Sequence, residues 1–180
     1  PLSFSLEKER DIGRQFEITH KVSCLTHGHL RSQMACGIYI QVAINLLKGY
    51  APRKAYERMK DVVSDYYSKQ PYIKELKNFR RIIEYDISEF PENSIKSSSY
   101  VIDTLEASLW CLLNNNSYAD TVLTAVNLGN DTDTLGAVSG GLAGIHYGYE
   151  GLPKKWVNEI ARVGDIIELG ERLYESIYGV

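Results

Sequence analysis

Cysteine is scarce: the 180 residues hold only Cys24, Cys36 and Cys111, and no two lie close enough for a CxxC-type zinc pair. An odd, scattered set offers no disulfide framework, which points to a reducing compartment such as the cytoplasm. An excess of positive charge is missing too. Twenty Lys and Arg face 23 Asp and Glu, for a formal charge of −3. That balance argues against nucleic acid as a partner, since phosphate backbones are held by clustered cations. A small anionic ligand remains compatible, held by local dipoles or a metal. Long apolar runs are also lacking. The most apolar stretch, Leu135 to Tyr149, is broken by glycines and contains His146, so a membrane span is not expected. The chain opens Pro1-Leu2-Ser3-Phe4, with no methionine and no signal peptide, and an upstream portion is therefore expected. No block repeats at a fixed period and no biased linker divides the sequence.

Helical signals recur along the chain, and convincing strand signals do not. Apolar residues make up 44% and charged residues 24%, which suits a globular fold with a sizeable core. Met34, Ile38, Val42 and Leu46 fall four apart within about Arg31 to Lys48, and Gly49 suits the end of that helix. Pro52 fits a first helical turn, followed by Ala55, Met59, Val62, Val63 and Tyr66. Pro71 repeats the device ahead of Ile73, Leu76, Phe79 and Ile83. Ser88 to Ser99 reads as a loop. Val101, Leu105, Leu109 and Leu112 build a further helix that stops at Asn114-Asn115-Asn116, and Ser117 with Asp120 resembles a capping box. Pro153 opens a short helix, and Ile166 to Ile177 forms a last amphipathic one. The reading is a single all-α domain over residues 1–180.

The densest chemical signal is Gly129-Asn130-Asp131-Thr132-Asp133-Thr134. Two carboxylates one residue apart, with a hydroxyl directly after the second, are hard oxygen donors that suit Mg²⁺ or Mn²⁺ better than zinc. Gly136, Gly140, Gly144 and Gly148 then recur every fourth residue and form one bare stripe on a helix. Four interior glycines would cost on the order of 4 kcal/mol relative to alanine. Something must therefore approach closely, either a neighbouring helix or a ligand. The carboxylates are themselves favoured at a helix N-terminus, so N-terminal capping is an equally good account of them. A cation there needs further ligands from elsewhere.

Leu25-Thr26-His27-Gly28-His29 precedes a helix, and its two histidines suit ligand contact or capping better than a zinc site. His20 and His146 read as surface or core packing, as do most of the thirteen tyrosines. Tyr100, beside Ser97-Ser98-Ser99, is a candidate for stacking on a base.

Together these segments resemble the ADP-ribosylglycohydrolase family. The glycine-rich Gly129 to Thr134 motif with its ladder resembles the family's C-terminal signature. Thr26-His27-Gly28-His29 with Ser32 and Ala35 resembles its threonine-histidine segment. Tyr100 to Ala107 with Trp110-Cys111, and Gly151-Leu152-Pro153 with Trp156, resemble the stretches on either side of the metal motif. The resemblance implies an orthogonal multi-helix fold with a binuclear Mg²⁺ or Mn²⁺ site, to which Asp131, Asp133 and Thr134 would contribute. It implies that His27 lies near bound ADP-ribose, with His29, Tyr100, Gly129 and Asn130 as further substrate-binding candidates. The family's N-terminal half, with a Thr-Asp-Asp-type metal motif and an acidic base, is not found in these residues. No catalytic residue is therefore expected in this chain, and its own N-terminal segment is an expected partner. The implied function is hydrolysis of the glycosidic bond between ADP-ribose and a modified protein side chain or small compound. A truncated relative that binds ADP-ribose without turnover, or serves structurally, is the alternative. A phosphatase of the haloacid dehalogenase type fits poorly, because its Asp-x-Asp motif follows a strand.

Overall fold

The computed structural model describes residues 1–179, and its elements are helices, with no strand among the described residues. In order they are α1 (Leu2–Leu6), α2 (Ile12–Ser23), α3 (Leu30–Leu47), α4 (Pro52–Tyr67), α5 (Ile73–Leu76), α6 (Arg80–Ile83), α7 (Val101–Asn114), α8 (Tyr118–Asn127), α9 (Thr132–Tyr147), α10 (Lys154–Glu159) and α11 (Val163–Tyr178). The chain is all-α, as its periodicity implies.

α3 is the axis of the assembly, packing against α1, α2, α4, α7 and α9. Its predicted face of Met34, Ile38, Val42 and Leu46 is buried, but so are Ala35, Gly37, Gln41, Ala43, Ile44 and Asn45. A helix enclosed on nearly every side needs no polar face, and this one is apolar through most of its length. Pro52 stands at the first turn of α4 and Gly49, at φ 83°, ends the connection from α3. On α4 the enclosed residues are Ala55, Tyr56, Met59, Val63 and Tyr67, while Val62 and Tyr66 lie at the margin.

His20 lies in the core among aromatic rings. Its Nε2 meets the Tyr67 hydroxyl at 2.9 Å and its Nδ1 meets the Tyr72 hydroxyl at 2.8 Å. The ring therefore ties α2 to α4 and to the segment before α5. Burial lowers its pKa from 6.5 to about 4, so it is neutral near pH 7.

The segment after Pro71 departs from expectation. Instead of one helix it forms α5, a 3₁₀ turn at Lys77–Phe79 and α6. Ile73 is exposed, whereas Phe79, Ile82 and Ile83 are buried. Two local features interrupt the helix: the Asn78 side chain donates to the Glu75 carbonyl at 3.0 Å, and Phe79 leaves helical geometry at φ −105°, ψ 11°. A short amide bonding back to the main chain competes with the helical ladder.

The expected cap at Ser117 is present. Its hydroxyl oxygen accepts from the Asp120 N–H at 3.0 Å, and the hydroxyl donates to the Asp120 carboxylate at 2.7 Å. α8 then packs along α9 on the glycine stripe. A β-carbon at Gly136 would come within 3.1 Å of Val126, and one at Gly140 within 3.3 Å of the Tyr118 hydroxyl. A neighbouring helix, not a ligand, occupies the stripe. Gly148, at φ 68°, ends α9. The last helix, α11, is amphipathic as expected but buries none of its residues, and Ile166, Ile167, Leu169 and Tyr174 are exposed.

No helix among the described residues is long and apolar enough to cross a membrane.

Candidate functional site

The turn into α9 is built from its glycine and asparagine. Gly129 stands at φ 81° and Asn130 at φ 55°, two successive left-handed residues. Asparagine tolerates that region better than most side chains, and such strain is retained where surrounding contacts hold it. Here Ser97 holds it. The Ser97 hydroxyl donates to the Leu128 carbonyl at 3.0 Å and accepts from the Asn130 amide at 3.0 Å. The Ser97 carbonyl accepts the Asp131 N–H at 3.1 Å. Ser97 is buried, although the polar run around it reads as an ordinary loop.

Asp131 occupies the N-cap position of α9 but makes no side-chain capping bond. Its carboxylate caps no backbone N–H of the helix. Asp133 and Thr134 follow in the first turn, both exposed. The Asp133 carboxyl is held below the usual range, first by the Thr134 backbone N–H and then by the neighbouring Asp131 carboxyl. A helix N-terminus favours that ionised form.

The histidine segment divides. His29 is the N-cap of α3, its Nδ1 accepting from the Arg31 N–H at 3.1 Å, so capping accounts for that nitrogen and only Nε2 can meet a ligand. His27 is exposed, with Nδ1 3.1 Å from the Thr26 hydroxyl. Tyr100 is the N-cap of α7 and 43% exposed, enough to present a ring to a ligand. Its N–H donates to the Ser98 hydroxyl at 3.2 Å, and that hydroxyl donates to the Asp103 carboxylate at 2.7 Å.

The N-termini of α3, α7 and α9 are joined through hydrogen bonds. Arg31 of α3 donates to the Tyr100 hydroxyl at 3.2 Å, and the loop just before Tyr100 carries Ser97, which holds Asn130 and Asp131. Three segments far apart in sequence thus share one end of the bundle. The histidines and the aspartates do not form one cluster. Among the described residues no group of three His, Cys, Asp or Glu side chains could hold a metal. Asp131, Asp133 and Thr134 therefore fit Mg²⁺ or Mn²⁺ in kind, as hard oxygen donors, but not in number. The candidate residues line neither of two grooves elsewhere. One of about 770 Å³ borders α1 to α4, at Gln15, Gln41, Asn45 and Arg58, and one of about 560 Å³ lies between Pro91 and Leu128. Arg31 and Ser97 are the positions that sequence reasoning missed, because nothing local marks a partner 33 or 69 residues away.

The chain is all-helical, with Asp131 and Asp133 opening a glycine-striped helix and, joined to that turn through the Ser97 loop, a tethered and half-exposed Tyr100. The family model for ADP-ribosylglycohydrolase matches residues 2–180, and the chain belongs to that family. It is 30% identical over 173 residues to the ADP-ribosylarginine hydrolase Tri1 of Serratia proteamaculans, across 94% of this chain and 43% of that protein. It is 26% identical to the ADP-ribosylhydrolase ARH3 of Danio rerio, across 88% of this chain and 49% of that protein. A solved structure described as an ADP-ribosylglycohydrolase-related protein complex superposes with a TM-score of 0.80 at 25% identity. The match covers 97% of this chain and 56% of that one. The chain thus spans about half the length of the relatives it matches.

Proposed function

We propose that this chain supplies one half of a metal-dependent ADP-ribosyl hydrolase, which cleaves the glycosidic bond joining ADP-ribose to a protein side chain or a small ADP-ribosyl compound. The observation that carries this reading is the start of α9, where Asp131 makes no capping bond and Asp133 is held ionised. Asp131, Asp133 and Thr134 would hold part of a binuclear Mg²⁺ or Mn²⁺ site. Bound there, the metals supply electrostatic stabilisation for an oxocarbenium-like transition state and for the attacking water. The chain's own residues bind and orient. Tyr100 presents a ring at the same end of the bundle, His27 lies exposed at the end of the turn after α2, and Asn130 shapes the approach to the carboxylates. The general base is assigned to the portion of the relatives that this chain does not span. Arginine is the acceptor to test first, because the relative aligned over 94% of the chain is named an ADP-ribosylarginine hydrolase.

A second reading has one observation in its favour. The donors at α9 fall short of a full ligand set among the described residues. On that reading the chain binds ADP-ribose without turnover.

Calorimetric titration of ADP-ribose in the presence of Mg²⁺ or Mn²⁺ tests the assignment, with Asp131→Asn as the control. Metal-dependent binding that disappears in the variant is the expected result. Binding indifferent to both metal and substitution would remove the α9 carboxylates from the site. Release of ADP-ribose from an ADP-ribosylated arginine peptide, measured with and without the remaining half of a relative, separates hydrolase from binding module.

A further inference from the structure

Arg31 belongs to none of the chemical motifs, yet it bridges two of the segments that meet at the candidate site. Its Nε donates to the Glu75 carboxylate at 2.6 Å and its NH1 donates to the Tyr100 hydroxyl at 3.2 Å. Glu75 is braced in turn by the Asn78 amide at 2.8 Å. The path thus runs from the broken helical segment around α5, through the N-terminus of α3, to the N-terminus of α7.

Stability is a poor account of this arrangement. The Arg31 and Glu75 side chains are 37% and 22% exposed, and ion pairs in such settings contribute little. What a guanidinium offers is geometry, because its planar fork holds two partners at a fixed angle. Tyr100 benefits from that. No aromatic pair or cation–π contact engages its ring among the described residues. Its N–H goes to Ser98, and its hydroxyl is held by Arg31 alone. A ring 43% exposed and without an aromatic partner gains rotamer freedom when its far end is untethered.

We propose that Arg31, braced by Glu75, is a positioning residue that pre-organises the Tyr100 ring to stack against the planar base of the ligand. The inference rests on the proposed reading of ADP-ribose as ligand and Tyr100 as one of its contacts. It assigns to the segment around α5 a role in affinity that no motif residue there suggests. Tyr100 touches no reacting atom in this scheme, so the tether changes affinity and not the chemical step. Freeing one immobilised side chain should weaken binding about three- to tenfold.

The test combines ADP-ribose titration with the mobility of the Tyr100 ring, read by NMR relaxation of labelled tyrosine, in Arg31→Met, Glu75→Gln, Tyr100→Phe and the Arg31→Met/Tyr100→Phe double variant. Each single variant is expected to bind about three- to tenfold more weakly, and the double variant no more weakly than either parent. Ring mobility should rise in Arg31→Met before any ligand is added. In a complete enzyme the same variants should raise KM and leave kcat unchanged. A merely structural role would lower the melting temperature equally but would leave neither this coupling nor the KM–kcat split. Additive losses, or a ring that stays ordered without Arg31, would overturn the proposal while ADP-ribose binding by the parent chain stands. A parent chain that fails to bind ADP-ribose would instead overturn the functional reading, and this role with it.

Discussion

Alanine substitutions along the α9 ladder should separate in a definite order, because the space beside each glycine differs. At Gly144 an added β-carbon lies 3.8 Å from the Tyr118 ring, an ordinary contact. Nothing opposes the gain in helix propensity there, about 1 kcal/mol. For a chain of this length that raises the melting temperature by roughly 2–4 °C. At Gly140 the new methyl meets the Tyr118 hydroxyl at 3.3 Å and Val122 at 3.5 Å. A small shift of the tyrosine offsets most of the gain, and the net effect is close to zero. At Gly136 the neighbour is a Val126 methyl at 3.1 Å. Valine in a helix has essentially one rotamer, so α8 itself must move, at a cost of about 1–3 kcal/mol against the propensity gain. The expected order of stability is Gly144→Ala above parent, Gly140→Ala near parent and Gly136→Ala below it. Urea and thermal denaturation followed by circular dichroism would establish the order, with ADP-ribose titration alongside. If the stripe existed to admit a ligand, all three variants would instead gain about 1 kcal/mol of stability and lose affinity together. That result would refute the packing account.

Two further outcomes follow from buried charge. His20 stays neutral in the fold down to about pH 4, whereas in the unfolded chain it takes a proton near 6.5. Between those values the unfolded state binds more protons, so stability falls as pH drops through the window, by up to about 3 kcal/mol, and changes little above it. His20→Gln should flatten that part of the stability–pH profile; an unchanged slope would show that another group is responsible. Arg81 lies 3.2 Å from the buried Glu106 carboxylate, whose pKa burial raises and the arginine lowers. Arg81→Met strands that group and should cost about 3 kcal/mol in urea denaturation, with part recovered on adding Glu106→Gln. A double-variant loss equal to the sum of the two single-variant losses would show the pair to be uncoupled.

Much of the fold follows from local sequence, and the reasons differ by element. Period-four spacing placed the buried face of α3, proline placed the start of α4, and asparagine with serine marked the break between α7 and α8. These are short-range effects, since side-chain direction and backbone propensity act within one or two turns. The segment after Pro71 misled for the complementary reason. Its spacing was helical, but Asn78 and Phe79 interrupted the ladder.

The sequence by itself marked which residues carry oxygen donors, where glycine removes a helical surface, and where the three candidate segments begin. It could not say whether the glycine stripe faces a helix or a ligand, and it left Asp131 divided between cap and donor. Tertiary structure decided the first by placing Tyr118, Val122 and Val126 of α8 against the stripe. It decided the fate of Nδ1 on His29, which caps α3, and left Asp131 without a side-chain cap bond. Only the folded chain joined Ser97 to Asn130 and Arg31 to Tyr100. Hydrogen bonds between residues that distant depend on how helices cross, and crossing is set by the shape of whole buried faces and not by any motif.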